Sequence, residues 1–187
     1  MNETTLLILV HQLLFQAMFF TKNLLLRRKI GQPIRGKNLQ ANLAIAFFVI
    51  FIIAALYVSL NPLPTDPLPA GVARWGSIAL MLGCLLVSAL SLRDLGDSWR
   101  VGVIDEQQTA LIESGIYRYS RNPYFVSYLL MFTAYTLLLQ NGTLLVLLSI
   151  GFLIIHNMIR REEDYLSNVH GETYANYCKR VPRYLLL

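Results

Sequence analysis

Two clusters in the second half of the chain have residue types and spacing that can do chemistry. Asn122-Pro123 opens an apolar run and follows Arg118 and Arg121. Asparagine is favoured just before a helix and proline in its first turn. A helix starting there leaves the backbone N–H groups of Tyr124, Phe125 and Val126 unpaired at the positive end of the helix dipole. Such a terminus can hold a carboxylate or a phosphate. Glu162, forty residues after Asn122, lies in the run Arg160-Arg161-Glu162-Glu163-Asp164, which closes another apolar stretch. The arginines alone read as an anchor in lipid headgroups. The carboxylates of Glu162 and Glu163 add a place for a cationic amine. An anion-binding end opposite a cation-binding end suits a zwitterionic amino-acid moiety.

A membrane hairpin positions the two clusters. The runs Tyr124–Leu139 and Thr143–Ile159 are separated only by Gln140-Asn141-Gly142, so the chain must reverse and return Asn122 and Glu162 to one membrane face. Three further apolar spans precede them: Leu6–Leu26, Leu39–Leu60 and Trp75–Leu92. The last two spans of the chain sit near the lower length limit for crossing a bilayer, about 17 residues. A composition 55% hydrophobic and 14% charged, with mean hydropathy +0.49, is that of a membrane protein. The expectation is an all-α integral membrane protein of about five transmembrane helices in a single domain. Residues 1–92 supply three spans and residues 93–187 carry the pocket.

Charge predicts the orientation. With the N-terminus outside, 15 of the 16 lysines and arginines fall on one side and only Arg74 on the other. Cytoplasmic loops collect such residues, so the C-terminus and the pocket are expected in the cytoplasm. The net charge of +5 then reports topology and anionic headgroups, and no nucleic-acid partner is expected. Cys84 and Cys178 fall in different compartments and do not suggest a disulfide, and His11, His156 and His170 are too scattered for zinc. The first span lacks the basic start and small-residue cleavage site of a signal peptide.

The connections differ in character. Asn61–Pro69 is proline-rich and should be a stiff outside link, and Gly31–Asn38 should be a basic turn. Gly76, Ala79 and Gly83 share a face and predict close helix packing. The segment Arg93–Tyr117 is long and polar, with Trp99, an apolar Ala110-Leu111-Ile112 run and β-formers at Val101, Val103 and Ile104, and reads as a folded cap. After Ile159 the pattern is helical, with Tyr165, Leu166 and Val169 on one face and Tyr174 and Tyr177 further on. Gly171 interrupts this stretch and Pro182 ends it, and it is expected along the membrane surface.

Together GIYRYSRNPYF at 115–125, the tight hairpin, RREED and HGETYANYCKRVPR at 170–183 resemble the isoprenylcysteine carboxyl methyltransferase and phospholipid methyltransferase superfamily, in its small integral membrane members of bacterial or archaeal type. The family pattern is approximately G-x-Y-x-x-x-R-[HN]-P-x-Y, a hairpin, E-E, and a closing F-G-x-x-Y-x-x-Y-x-x-x-V-P. The resemblance covers about residues 93–183. It implies S-adenosyl-L-methionine as cofactor, bound by Thr109, Ala110, Leu111 and Ile112, by Tyr117, by Asn122, Pro123, Tyr124 and Phe125, and by Glu162. Many members carry histidine where this chain has Asn122. The carboxyl methyltransferases place a substrate-contacting arginine where this chain has Met158, which puts a prenylcysteine substrate in question.

Methyl transfer from a sulfonium needs binding, alignment and exclusion of water, and neither a metal nor a covalent nucleophile. The implied acceptor is lipophilic and arrives from the membrane. Arg161 is expected to orient a carboxylate acceptor, and Glu163 to take the proton of an amine acceptor. Two alternatives stay open at this level. One is a membrane sterol or enone reductase using NADPH, whose C-terminal region is similar. The other is a non-enzymatic membrane protein retaining the fold.

Overall fold

A computed structural model describes residues 2–31, 39–62, 68–99 and 110–185. These form five α-helices and two short 3-10 turns, with no strand among the described residues. The helices are α1 (Glu3–Ile30), α2 (Leu39–Leu60), α3 (Ala70–Leu95), α4 (Pro123–Leu139) and α5 (Gly142–Arg180). Four are long and apolar enough to cross a membrane, and α4, with 17 residues, is the shorter fifth.

Local chemistry sets the helix ends. Asn2 Oδ1 accepts from the Thr5 backbone N–H at 2.8 Å and starts α1. Arg27, Arg28 and Lys29 fill its last turn, where cations suit the dipole, and Gly31 closes it in a left-handed conformation. The hairpin turn is as short as the sequence demands. Gln140 adopts φ 44° to end α4, and Asn141 starts α5 by accepting from the Thr143 and Leu144 N–H groups. The Gln140 side chain brackets the backbone of Leu68, accepting from its N–H at 2.7 Å and donating to its C=O at 3.2 Å. The hairpin tip is thereby tied to the start of α3.

The bundle is apolar outside and partly polar inside. Leu13, Phe20, Ile53 and Leu153 are each at least 60% exposed. Such surface on every side of a bundle is stable in lipid and not in water. Inside, α3 buries Ser77, Met81, Cys84, Ser88 and Ser91. His11 Nε2 donates to the Met81 carbonyl at 3.2 Å, and Nδ1 lies 2.7 Å from the Tyr135 hydroxyl. One imidazole thus links α1, α3 and α4. A Cβ at Gly151 would come within 2.8 Å of Phe47 and 3.0 Å of Phe132, so glycine there lets α5 close on α2 and α4.

One sequence expectation needs correction. Of the small residues on α3, Gly76 packs closely, with Leu137 3.2 Å from a Cβ built there, whereas Gly83 faces open space and Ala79 is exposed. The buried face of α3 is its serine-rich one. The stretch after Ile159 is helical and continues α5 without a break to His170, about 43 Å at 1.5 Å per residue, before the chain turns at Gly171, with φ 51° and ψ −123°. Most of the proline-rich link, most of the Gly31–Asn38 turn, and Val101, Gly102, Val103 and Ile104 lie outside the described residues.

Candidate active site

The segment 115–123 is built as a bracket between α3 and α4. Gly115 has φ 61°, and any Cβ there would be driven into the Asp94 carboxylate. Asp94 Oδ2 accepts from the Ile116 N–H at 2.8 Å, which pins the 3-10 turn Gly115–Arg118 to the end of α3. The turn buries Tyr117, whose carbonyl accepts from Tyr177 O–H at 2.7 Å.

The same segment is bound to the end of the chain. The Arg121 N–H donates to the Pro182 carbonyl at 2.9 Å, and Ser120 Oγ donates to the Arg183 carbonyl at 3.1 Å. Arg121 Nη1 reaches the carbonyls of Val181 at 2.7 Å and Cys178 at 3.2 Å. Glu163 lies at the centre, 8% exposed. Its Oε1 takes Arg121 Nη2 at 3.0 Å and Asn122 Nδ2 at 3.0 Å, and its Oε2 takes Arg183 Nη2 at 2.7 Å and Nε at 2.9 Å.

Above this network lies a cavity of about 450 Å³. Of the residues expected at a cofactor, Ala110, Leu111 and Ile112 line one wall, Tyr117, Asn122, Tyr124 and Phe125 another, and Glu162 a third. Pro123 is buried in the first turn of α4 and outside the lining, and Thr109 lies outside the described residues. Arg161 faces the cavity from α5, as does Met158 about one turn earlier.

Two expected roles are corrected by this geometry. Asn122 precedes α4 but its side chain makes no cap hydrogen bond, because its amide is turned to Glu163. Glu163, the expected proton acceptor, is outside the cavity lining, with both oxygens engaged by arginines. Of the two adjacent carboxylates, Glu162 is the one that faces the cavity.

Burial first, and then the nearby Glu162 carboxylate, hold the Tyr117 phenol well above its ordinary pKa. It stays neutral and can donate a hydrogen bond throughout the physiological range. Aromatic rings close the neighbouring wall. Trp99 stands edge-on to Tyr124 at 4.7 Å between centroids, and Tyr124 to Tyr128 at 5.2 Å. Trp99 Nε1 donates to Asn23 Oδ1 at 2.7 Å, so α1 holds this ring in place.

The sequence reading missed the α1 and α2 contribution: Gln16, Phe19 and Asn23 from α1, and Gln40, Ile45 and Phe48 from α2. Apolar residues in apolar spans carry no distinguishing mark. Polar side chains within or beside such spans do, and Gln16, Asn23 and Gln40 were the available signal. Arg183 was visible in the closing Val-Pro-Arg, but nothing in the sequence indicated its partner.

The class defined by this geometry is an all-helical membrane protein with an aromatic-lined cavity at its charged end. The family model for phospholipid methyltransferase matches residues 72–173, more than half of the chain. The chain belongs to the phospholipid methyltransferase family, in the same superfamily as the isoprenylcysteine carboxyl methyltransferases. That makes it a membrane methyltransferase by family. A search among curated proteins gives no match.

Proposed function

We propose that this protein transfers a methyl group from S-adenosyl-L-methionine to a lipophilic acceptor in the 450 Å³ cavity. The observation that carries the reading is convergence. Residues 110–112, 117, 122, 124 and 125 of the segment before and at the start of α4 meet Glu162 of α5 in one cavity, with residues of α1 and α2 completing its lining. The donor set fits the cofactor. Glu162 offers a carboxylate for an ammonium. At the start of α4 the Val126 N–H is taken by the Asn122 carbonyl at 3.1 Å, which corrects the expectation for that amide and leaves those of Tyr124 and Phe125, without a side-chain cap, for a carboxylate. Neutral Tyr117 with the aromatic wall suits a base and sugar. When bound, the cofactor supplies an electrophilic methyl on sulfur.

The chain's own residues bind, orient and exclude water. Ile45 and Val49 of the apolar α2 line the cavity and are 41% and 48% exposed, which supports a lateral way in for a lipid-borne acceptor. Arg161 faces the cavity and would orient an acceptor carboxylate, standing about one turn beyond apolar Met158. The carboxylate acceptor is the favoured one. An amine would need Glu163 to leave two arginines before taking its proton, and Glu162 is assigned to the cofactor. The cavity end faces the cytoplasm, with the N-terminus outside, on the charge asymmetry. Residues 93–187 act as the methyl-transfer core and residues 1–92 as the membrane support that completes its wall.

Isothermal titration of the purified protein with S-adenosylhomocysteine, and separately with NADPH, tests the proposal. Binding of the first and not the second is expected. NADPH binding without S-adenosylhomocysteine binding would replace the proposal with the reductase reading.

A further inference from the structure

Asn122 is held by both hydrogens of its amide nitrogen. Nδ2 donates to Glu163 Oε1 at 3.0 Å and to the Arg183 carbonyl at 3.3 Å. Both partners are acceptors, so the orientation of the amide is determined: the nitrogen faces the network and the oxygen does not. Oδ1 makes no hydrogen bond among the described residues, and Asn122 is one of the residues that line the cavity. Asn122 thus keeps an acceptor for a ligand.

Arg183 sets this arrangement twice. Its guanidinium fixes Glu163 Oε2 through Nε and Nη2, and its own carbonyl takes the second amide hydrogen of Asn122. It lies beyond the stretch that matches the family model, which ends at residue 173. Arg183 does not line the cavity. Whatever it does for a ligand, it does through Asn122.

We propose that Arg183 is a positioning residue that, with Glu163, turns the Asn122 amide so that Oδ1 receives a donor group of the bound molecule. Resting on the cofactor reading above, that donor is the cofactor's α-ammonium, shared between Asn122 Oδ1 and Glu162. A Glu163→Gln side chain could donate from its own amide nitrogen, and the Asn122 amide would then turn round and offer N–H to the cavity.

The test uses the full-length protein in detergent and two ligands: S-adenosylhomocysteine, and its analogue with hydrogen in place of the α-amino group. The wild type is expected to prefer the amino form by about tenfold or more, the scale of hydrogen bonds to a charged group. Arg183→Met should cut that preference by about threefold or more while changing affinity for the deaminated analogue less than about twofold. Arg183→Lys should recover part of it. Glu163→Gln should lose preference in the same way, and serves if Arg183→Met does not fold. A merely structural role predicts equal weakening for both ligands, and that result, or an unchanged preference, overturns the proposal. If the wild type binds both ligands equally, the inference falls and the cofactor reading stands. If it binds neither, both fall.

Discussion

Asn122 and Glu163 are 41 residues apart in the chain, and the side-chain amide of the first donates to the buried carboxylate of the second at 3.0 Å. That bond changes what a substitution at Asn122 should do. If Asn122 were a helix cap, Asp would serve as well as Asn. In this fold Asp would lose both donations and set a second carboxylate against Glu163. Asn122→Ala should cost about 1.5–3 kcal/mol, the value of a hydrogen bond to a charged group, and Asn122→Asp no less. Thermal unfolding of both variants checks this. An Asp variant as stable as wild type would restore the cap reading.

The adjacent glutamates should separate stability from binding. Glu163→Ala leaves the nearly buried Arg121 without its ion pair, which costs about 3 kcal/mol or more; partial exposure of Arg183 favours the lower end of the range for broken buried pairs. Glu162→Gln removes no ion pair among the described residues and takes a desolvated carboxylate out of the cavity wall, so it should leave stability unchanged or raise it. It should weaken S-adenosylhomocysteine binding about tenfold to a hundredfold. Melting curves and titrations on the same two preparations distinguish the roles. Similar losses of stability in both variants would contradict the division.

Gly115 is required for two independent reasons, its left-handed backbone and the Asp94 carboxylate where a Cβ would sit. Gly115→Ala should cost at least about 1–2 kcal/mol from the backbone alone. It should also weaken cofactor binding, because the turn carries Tyr117. Gly83→Ala, which meets open space, is the matched control and should cost nothing by collision. Equal melting temperatures for the two variants would show that the Asp94 bracket is not holding the turn.

Much of this was legible because it followed from length and polarity. A three-residue link between two apolar runs can only make a hairpin, and that alone brought Asn122 back to the glutamate pair. Gly171 as an interruption and Pro182 after the last helix were legible from backbone chemistry. The choice between Glu162 and Glu163 was not. Successive helical residues differ by about 100° in direction, and which one faces a cavity depends on where α4 and the returning tail pack. The course of the tail was equally hidden. It is fixed by carbonyls of residues 178–183 meeting Ser120, Arg121 and Asn122, and backbone acceptors carry no sequence signature.

Orientation is tested separately from chemistry. A reporter fused after Leu187 should read as cytoplasmic, since all basic residues but Arg74 are then on the inner side. An external signal would place the cavity on the wrong face for a cytosolic cofactor.

The central claim is methyl transfer in the cavity that Glu162 and Tyr117 line. Membranes from cells expressing the protein should be incubated with S-adenosyl-L-methionine bearing a tritiated methyl group, and the label extracted into organic solvent counted. The account predicts organic-soluble label above that of control membranes, reduced about tenfold or more by Glu162→Gln at limiting cofactor, with the variant folded and present in equal amount. Label no higher than in control membranes, or label unaffected by Glu162→Gln, would contradict it.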